Sequence, residues 1–438
     1  MYLKPSESAV WIPLTIQTAD EELLFIERAD REFLYDDKGN QFIDGIASWW
    51  TSIHGHCHPQ IIGAITEQIN KLDHVMLAGF IHAPAENLAL KIIEIAGGEY
   101  KKVFYSDNGS NAVEIAIKIA VQYFKNKDKE SKKEKFIIFS QSYHGDSIGA
   151  MNVSGLTFFN RIFQGLRFPV KEFVSPNCFQ CPVGKNRIDC KAECVDGIEQ
   201  ELIQNTELYA GIILEPLVFA ASGMVFYDAK VLKRLEQLVH KHGILMIFDE
   251  VFTSMGRTGK AFAFQTASVK PDIVAMAKGL TGGILPLAAT IVSEKVYEQF
   301  LDSDPYHSFF HAHTMTGNPV SCNAGLASID ILESENLANV KVLETKLNQF
   351  INQLKNNLPD KVINPRVLGG ICAFELPMEI GNDEYLNPIG KRLKQELTKY
   401  GVLLRPLGNT VYLTPPYSIS DSSLEQIFFA LGKSLPIL

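Results

Sequence analysis

Lys278 and Asp249 are the two side chains whose type and setting point to chemistry. Lys278 follows the apolar run Ile273-Val-Ala-Met-Ala277 and precedes Gly279, so its amine should emerge at a strand end among apolar neighbours. Burial there disfavours the ammonium and frees a neutral amine for Schiff-base formation. A lysine that snorkels from a strand terminus has the same sequence context. Asp249 follows the apolar run Ile244-Leu-Met-Ile-Phe248 and lies 29 residues before Lys278, so a carboxylate also stands at a strand's carboxyl end. Alone, it reads equally well as a helix cap or a turn acid. Together, the amine and the acid suit a cofactor of the pyridoxal type. The lysine would hold its aldehyde, and the acid would keep its ring nitrogen protonated so that the ring can act as an electron sink.

Such a cofactor also needs a phosphate site. Asn108-Gly109-Ser110 opens a helical pattern and offers backbone N–H groups, a hydroxyl and the positive helix end. Gly-Ser turns before helices are common, so this motif alone decides little. Thr314, in His311-Ala-His-Thr-Met-Thr316, supplies another candidate phosphate hydroxyl. Tyr143, in Tyr143-His144-Gly145-Asp146, can cover one face of an aromatic ring, or else serve as an ordinary structural tyrosine.

The elements that must position these residues are legible as short apolar runs alternating with amphipathic helical patterns. The runs are Lys102-Val-Phe-Tyr-Ser106, Lys135-Phe-Ile-Ile-Phe139, Gly211-Ile-Ile-Leu-Glu215, Ile244-Leu-Met-Ile-Phe248 and Asp272-Ile-Val-Ala-Met276. Each is continuous rather than alternating, as expected of strands buried on both faces of a parallel sheet. Ligands of such sheets sit at the carboxyl ends of the strands, where Asp249 and Lys278 fall. After the first run, Ala112, Val113, Ala116, Ile117 and Ala120 recur at helical spacing, with Glu114 and Lys118 placed for an i,i+4 ion pair. Near the N-terminus a hairpin is expected over 32–44, turning at Lys38-Gly39-Asn40. From Pro319 a helical pattern runs through Ile331 into a charged helix and a shorter α+β segment. The expected architecture is therefore α/β, with a mainly parallel sheet flanked by helices in a large domain over 51–320. A small α+β domain is built from both ends, 1–50 and 321–438.

Composition excludes several alternatives. The 438 residues are 46% hydrophobic and 21% charged, an ordinary globular mix with no repeat or low-complexity tract. A net charge of −9 disfavours broad attraction to nucleic acid or anionic lipid. No run approaches the ~20 apolar residues that span a bilayer, and Met1 to Leu14 lacks the pattern of a secretory leader. A soluble cytoplasmic protein is expected, with small-molecule substrates and neither nucleic-acid nor membrane partners.

Across essentially its whole length the sequence resembles the class III, fold-type I pyridoxal-phosphate aminotransferases. The matching motifs are Asp107-Asn-Gly-Ser110, Tyr143-His-Gly-Asp146, Glu215-Pro216, Phe248-Asp-Glu250, Gly256-Arg-Thr-Gly259 and Ala277-Lys-Gly279. It is most similar to the biotin-pathway branch, through Asp44-Gly-Ile-Ala-Ser-Trp-Trp50, His54-Gly55, His82-Ala-Pro84, Thr316-Gly-Asn-Pro319, Arg405-Pro-Leu-Gly408 and Tyr412-Leu-Thr-Pro-Pro-Tyr417. The resemblance implies pyridoxal 5'-phosphate as cofactor and a homodimer. It implies amination of 8-amino-7-oxononanoate to 7,8-diaminononanoate, with S-adenosylmethionine as amino donor. Lysine as donor, or another class III ω-amino-acid aminotransferase, is the alternative. Carried over residue by residue, it implies Lys278 as catalytic lysine and Asp249 at the ring nitrogen. Tyr143 would lie over the ring and touch substrate. Gly109, Ser110, His313 and Thr314 would lie about the cofactor, with Thr314 reaching across the dimer. Trp49, Arg257, Ala312 and Arg405 would contact substrate, Arg405 through a carboxylate and Trp49 along the methylene chain.

Three stretches depart from the pattern or go beyond it. Trp11-Ile-Pro-Leu-Thr15 carries Leu14 where the family has a tyrosine hydroxyl, which bears on donor choice. His311-Ala-His-Thr314 stands in place of the family's His-Gly-Pro-Thr. Finally, Cys178, Cys181, Cys190 and Cys194 place four of the seven cysteines within 17 residues, between an expected strand and helix. Zinc, an iron–sulfur cluster or a plain thiol-rich loop would each suit that spacing, and no metal is assigned to the site.

Overall fold

The computed structural model describes residues 3–19, 22–377 and 388–438; residues 1–2, 20–21 and 378–387 of the expected end segments lie outside the described residues. Its centre is a sheet of seven described strands. Their spatial order is Tyr100–Ser106, Ala288–Ser293, Ile273–Met276, Leu245–Asp249, Tyr209–Leu214, Lys135–Phe139 and Lys171–Phe173. Only Ala288–Ser293 runs antiparallel to its neighbours; the other pairings are parallel. Tyr209–Leu214, Leu245–Asp249 and Ile273–Met276 are buried at every position, which explains their unbroken apolar sequence. Helices Gly109–Lys127 and Ala229–His242 both pack on this sheet, their apolar stripes facing it and their charged stripes facing out.

The hairpin forms as expected, with Phe33–Asp36 and Gln41–Asp44 pairing Phe33 with Ile43 and Tyr35 with Gln41. Its sheet includes Ile26–Asp30 on one side and the distant strand Val402–Leu403, parallel to Gln41–Asp44, on the other. Ile363–Leu368, Ile371–Glu375 and Thr410–Leu413 form a further, three-stranded antiparallel sheet. Helix Pro319–Ile331 passes through a π-helical turn, Leu332–Asn336, into Leu337–Asn357. No helix among the described residues is long and apolar enough to cross a membrane.

One local expectation is corrected. Glu114 does not pair with Lys118. Its Oε1 accepts hydrogen bonds from Ser147 Oγ at 2.7 Å and Gly149 N at 2.7 Å, while Lys118 Nζ lies 3.0 Å from His311 Nδ1. A carboxylate meeting a hydroxyl and a free amide gains more than one meeting a solvated ammonium a turn away.

Candidate active site

Parallel pairing sets Asp249 beside Ala275, so the strand carrying Asp249 and the strand leading to Lys278 end at the same edge of the sheet. A cavity of about 620 Å³ opens there, within the usual range for small-molecule sites. Lys278, Asp249, Tyr143, Gly109 and Ser110 all line it. Five residues from four separate stretches of sequence thus meet in one place.

Asp249 is buried, with Oδ2 2.7 Å from His144 Nδ1 and Oδ1 accepting from Val251 N at 3.0 Å. His144 is also buried, its amide donates to Ser154 Oγ at 2.9 Å, and its Nε2 has no hydrogen-bond partner among the described residues. Glu215 adds a second carboxylate. Its oxygens accept from Tyr143 N and Ala220 N, both at 3.0 Å, and burial pushes its carboxyl up to about 7. Tyr143 therefore hangs from Glu215 by its amide, while its hydroxyl donates to Asp146 Oδ2 at 2.9 Å.

Lys278 opens onto the cavity with Nζ 4.6 Å from the Trp50 ring centre and 5.9 Å from that of Phe252. Burial pulls its ammonium down from 10.5 to about 8, against the opposing influence of Asp249 and then Glu215. Its backbone is left-handed, at φ 48°, a conformation that persists in a non-glycine residue only where its surroundings enforce it.

The phosphate-type cradle is built at the start of Gly109–Lys127. Asn108 caps that helix by accepting from Asn111 N at 2.9 Å, and the amides of the first turn have no intrahelical partner by helix geometry. The turn after Lys135–Phe139 comes so close that a Cβ on Gly145 would lie 1.9 Å from Ser110 Oγ, at a φ of +126° open only to glycine. A Cβ on Gly109 would likewise meet Val251 at 2.7 Å.

The other expected contacts are placed differently. Residues 47–50 form a left-handed turn with φ values of 47°, 44°, 65° and 77°, without a single glycine. Left-handed backbone costs about 1–2 kcal/mol per residue. It sends the adjacent tryptophans to different places. Trp50 is 5% exposed, stacks edge-on against Phe252 and lines the cavity; Trp49 is 38% exposed, and the Arg405 guanidinium lies 4.4 Å from its ring centre. Arg257 is 1% exposed. Its Nη1 donates to Gly370 O and Pro415 O and its guanidinium lies 4.7 Å from the Tyr417 ring centre, while Nε and Nη2 have no hydrogen-bond partner among the described residues. Ala312, His313 and Thr314 belong to the segment entering Pro319–Ile331, with His313 Nε2 3.8 Å from Asp107, and none of them lines the cavity in one chain. The four clustered cysteines are half-buried free thiols, and Cys178 Sγ accepts from Asp228 N at 3.2 Å. Among the described residues, no group of His, Cys, Asp and Glu is arranged to hold a metal ion.

The class III aminotransferase model matches residues 15–435, nearly the whole chain. The chain belongs to the class III aminotransferase family. Curated relatives include adenosylmethionine-8-amino-7-oxononanoate aminotransferase of Synechococcus elongatus, 39% identical over 98% of this chain and 99% of the relative. The enzyme of that name from Geobacter sulfurreducens is 37% identical over 97% and 95%. Among solved structures, the amine transaminase of an uncultivated Pseudomonas species in its pyridoxal-phosphate-bound form gives a TM-score of 0.92, at 28% identity over 99% of this chain and 100% of that one. Adenosylmethionine-8-amino-7-oxononanoate aminotransferase of Methanocaldococcus jannaschii gives 0.89, at 32% identity over 98% and 97%.

The cofactor of this class III aminotransferase is pyridoxal 5'-phosphate. The pocket fits it on four counts. Its lining has a lysine whose ammonium burial disfavours, a buried carboxylate, glycines whose side-chain space is already needed at the helix start, and the aromatic rings of Trp50 and Phe252. Reading the sequence alone misses His144 and Glu215 as site residues, although both sit inside or beside quoted motifs at strand ends. It also gives no role to Trp50, which lines the cavity, because the left-handed turn leaves no mark on residue spacing.

Proposed function

We propose that this class III aminotransferase moves an amino group onto the ketone of 8-amino-7-oxononanoate, forming 7,8-diaminononanoate for biotin synthesis, with S-adenosylmethionine as donor. The observation that carries this reading is the meeting of Lys278, Asp249 and the Gly109–Ser110 helix start in one cavity walled by Trp50. The full-length likeness to enzymes of that name supplies the substrate.

When bound, pyridoxal 5'-phosphate supplies an electron sink that lets the C–H beside an amino group ionise. The amides of Gly109 and Ser110, with the Ser110 hydroxyl, would hold its phosphate, and Asp249 would hold its ring nitrogen protonated. Tyr143 would cover one ring face. His144, 2.7 Å from Asp249, fixes the direction of that carboxylate. With its amine near 8, Lys278 can release a proton from Nζ and take one back close to neutral pH. Trp50 and Phe252 keep water from that amine. Arg405, resting on the Trp49 ring, is assigned to the substrate carboxylate, and the buried Arg257 to substrate recognition.

The working unit in this reading is a homodimer in which Ala312, His313 and Thr314 complete the partner's site. Two observations support it. Those residues lie outside the cavity of their own chain, and large apolar side chains such as Trp11 (84% exposed), Ile81 and Phe310 stand uncovered. A large domain over 51–320 and a small one from 1–50 and 321–438 is the division we favour, supported by the pairing of Gln41–Asp44 with Val402–Leu403. Seven free thiols suit a cytoplasmic location.

The likeness to an amine transaminase favours a second reading, with a simpler ω-amino substrate. A half-reaction assay on the pyridoxal form separates the alternatives. Loss of aldehyde absorbance on adding S-adenosylmethionine but not lysine, followed by turnover of 8-amino-7-oxononanoate, is the expected result. Turnover of ω-amino acids with none of the oxononanoate would overturn the assignment.

A further inference from the structure

The left-handed turn at 47–50 is held by one carboxylate. Asp44 Oδ2 accepts from Ser48 N at 2.6 Å and Ser48 Oγ at 2.7 Å, and lies 2.9 Å from His56 Nε2; Oδ1 accepts from Ile46 N at 3.3 Å. Both anchors of this clamp are themselves fixed. The Asp44 amide donates to Glu32 O at 2.8 Å, and His56 exchanges backbone hydrogen bonds with Arg31 at 2.6 and 3.1 Å. Asp44 is buried, so its two oxygens meet these donors with little competition from water.

The direction of the turn decides where the rings go. Reversing the sign of φ swings each Cα–Cβ bond to the other side of the chain, so a right-handed turn could not keep both indoles where they are. In the turn as built, Trp50 backs Lys278 at 4.6 Å and Trp49 backs Arg405 at 4.4 Å. One clamp therefore governs the supports of two groups at opposite ends of a chain-like substrate. We propose that Asp44 is a positioning residue for the acceptor: its hold on Ser48 and His56 sets the left-handed turn that places Trp50 behind the amine and Trp49 behind the carboxylate-binding arginine. The acceptor class it fits is a ketone carried on a methylene chain that ends in a carboxylate. This extends the function proposed above and rests on its assignment of Arg405.

Asp44→Asn in the holoenzyme is the direct test. The expected result is a KM for 8-amino-7-oxononanoate raised at least tenfold, a larger change than the accompanying losses in kcat and in the donor half-reaction, both of which use the Lys278 amine that Trp50 backs. Ser48→Ala, which removes only the hydroxyl donor, should move the same KM about threefold, and it serves if Asp44→Asn folds poorly. Tryptophan fluorescence gives a readout that needs no substrate. With Trp11→Phe and Trp49→Phe in place, Trp50 is the sole tryptophan, and Asp44→Asn should at least double its quenching by acrylamide. Glycine adopts positive φ freely, so adding Ser48→Gly to Asp44→Asn should recover most of the KM and the quenching. The same glycine also relieves backbone strain, so melting is followed alongside, and recovery of KM and quenching beyond any recovery of the melting temperature marks positioning. Unchanged KM and quenching in Asp44→Asn, or parallel loss of kcat and stability without glycine rescue, overturns the proposal. If the wild-type protein does not turn over the oxononanoate, the functional reading fails, while the fluorescence and rescue arms still decide the role of Asp44.

Discussion

At Lys278 burial disfavours the ammonium while Asp249 and Glu215 favour it, and burial prevails, leaving the amine near 8 instead of 10.5. The same imbalance makes a statement about stability. Between about 8 and 10.5 the unfolded chain binds the proton that the folded chain has lost, so folding gains stability as pH rises through that window. Below it the full cost is present. Lys278→Met should therefore stabilise the cofactor-free protein at pH 7, by up to about 3 kcal/mol before solvent screening is discounted. That advantage should shrink toward pH 10.5, and denaturant melts at pH 7 and 10 would check both sign and window. Activity should vanish in the same variant. Arg405 makes a second residue-scale case. A charged hydrogen bond to a carboxylate contributes about 1.5–3 kcal/mol. Arg405→Ala should raise KM for the carboxylate-bearing acceptor roughly tenfold to a hundredfold, as steady-state kinetics would show.

Elements bring these residues together through a few close approaches. The helix Gly109–Lys127 meets the turn after Lys135–Phe139 at Gly145, where there is no room for a methyl group beside Ser110. Gly145→Ala should therefore displace Ser110 from the phosphate-binding position proposed for it. The expected outcome is a loss of about 1–3 kcal/mol in stability and at least tenfold weaker cofactor binding, read by melting and by cofactor titration. Strands and helices at this scale were largely legible in the sequence. Continuous apolar runs predicted the buried strands, and 3/4 spacing predicted the helix after the first of them. Local partner choice was not. Glu114 and Lys118 stand at ion-pair spacing, yet each is taken by a residue far along the chain. Spacing carries no record of such competitors.

For the whole molecule, one chain holds Lys278, Asp249 and the phosphate-type cradle in a single cavity, while Thr314 lies elsewhere on its surface. The proposed dimer turns this into a measurable asymmetry. Lys278→Ala and Thr314→Val should each depress activity at limiting cofactor. Refolding or exchanging the two variants together should restore one intact site per mixed dimer, carrying Lys278 from one chain and Thr314 from the other. Activity no greater than the sum of the separate variants would place Thr314 in its own chain's site.

Sequence alone determined which chemistry was available. A lysine and an aspartate at the ends of two unbroken apolar runs, with a Gly-Ser helix start, already specified an amine, an acid and an anion site, because strand burial and helix polarity are local consequences of residue order. Only the tertiary structure decided which side chains complete that site. His144 is oriented on Asp249, Glu215 holds Tyr143, and Trp50 lines the cavity behind Lys278. Each of these depends on a long-range contact or on a backbone sign at 47–50, and neither is encoded in the spacing of residues along the chain.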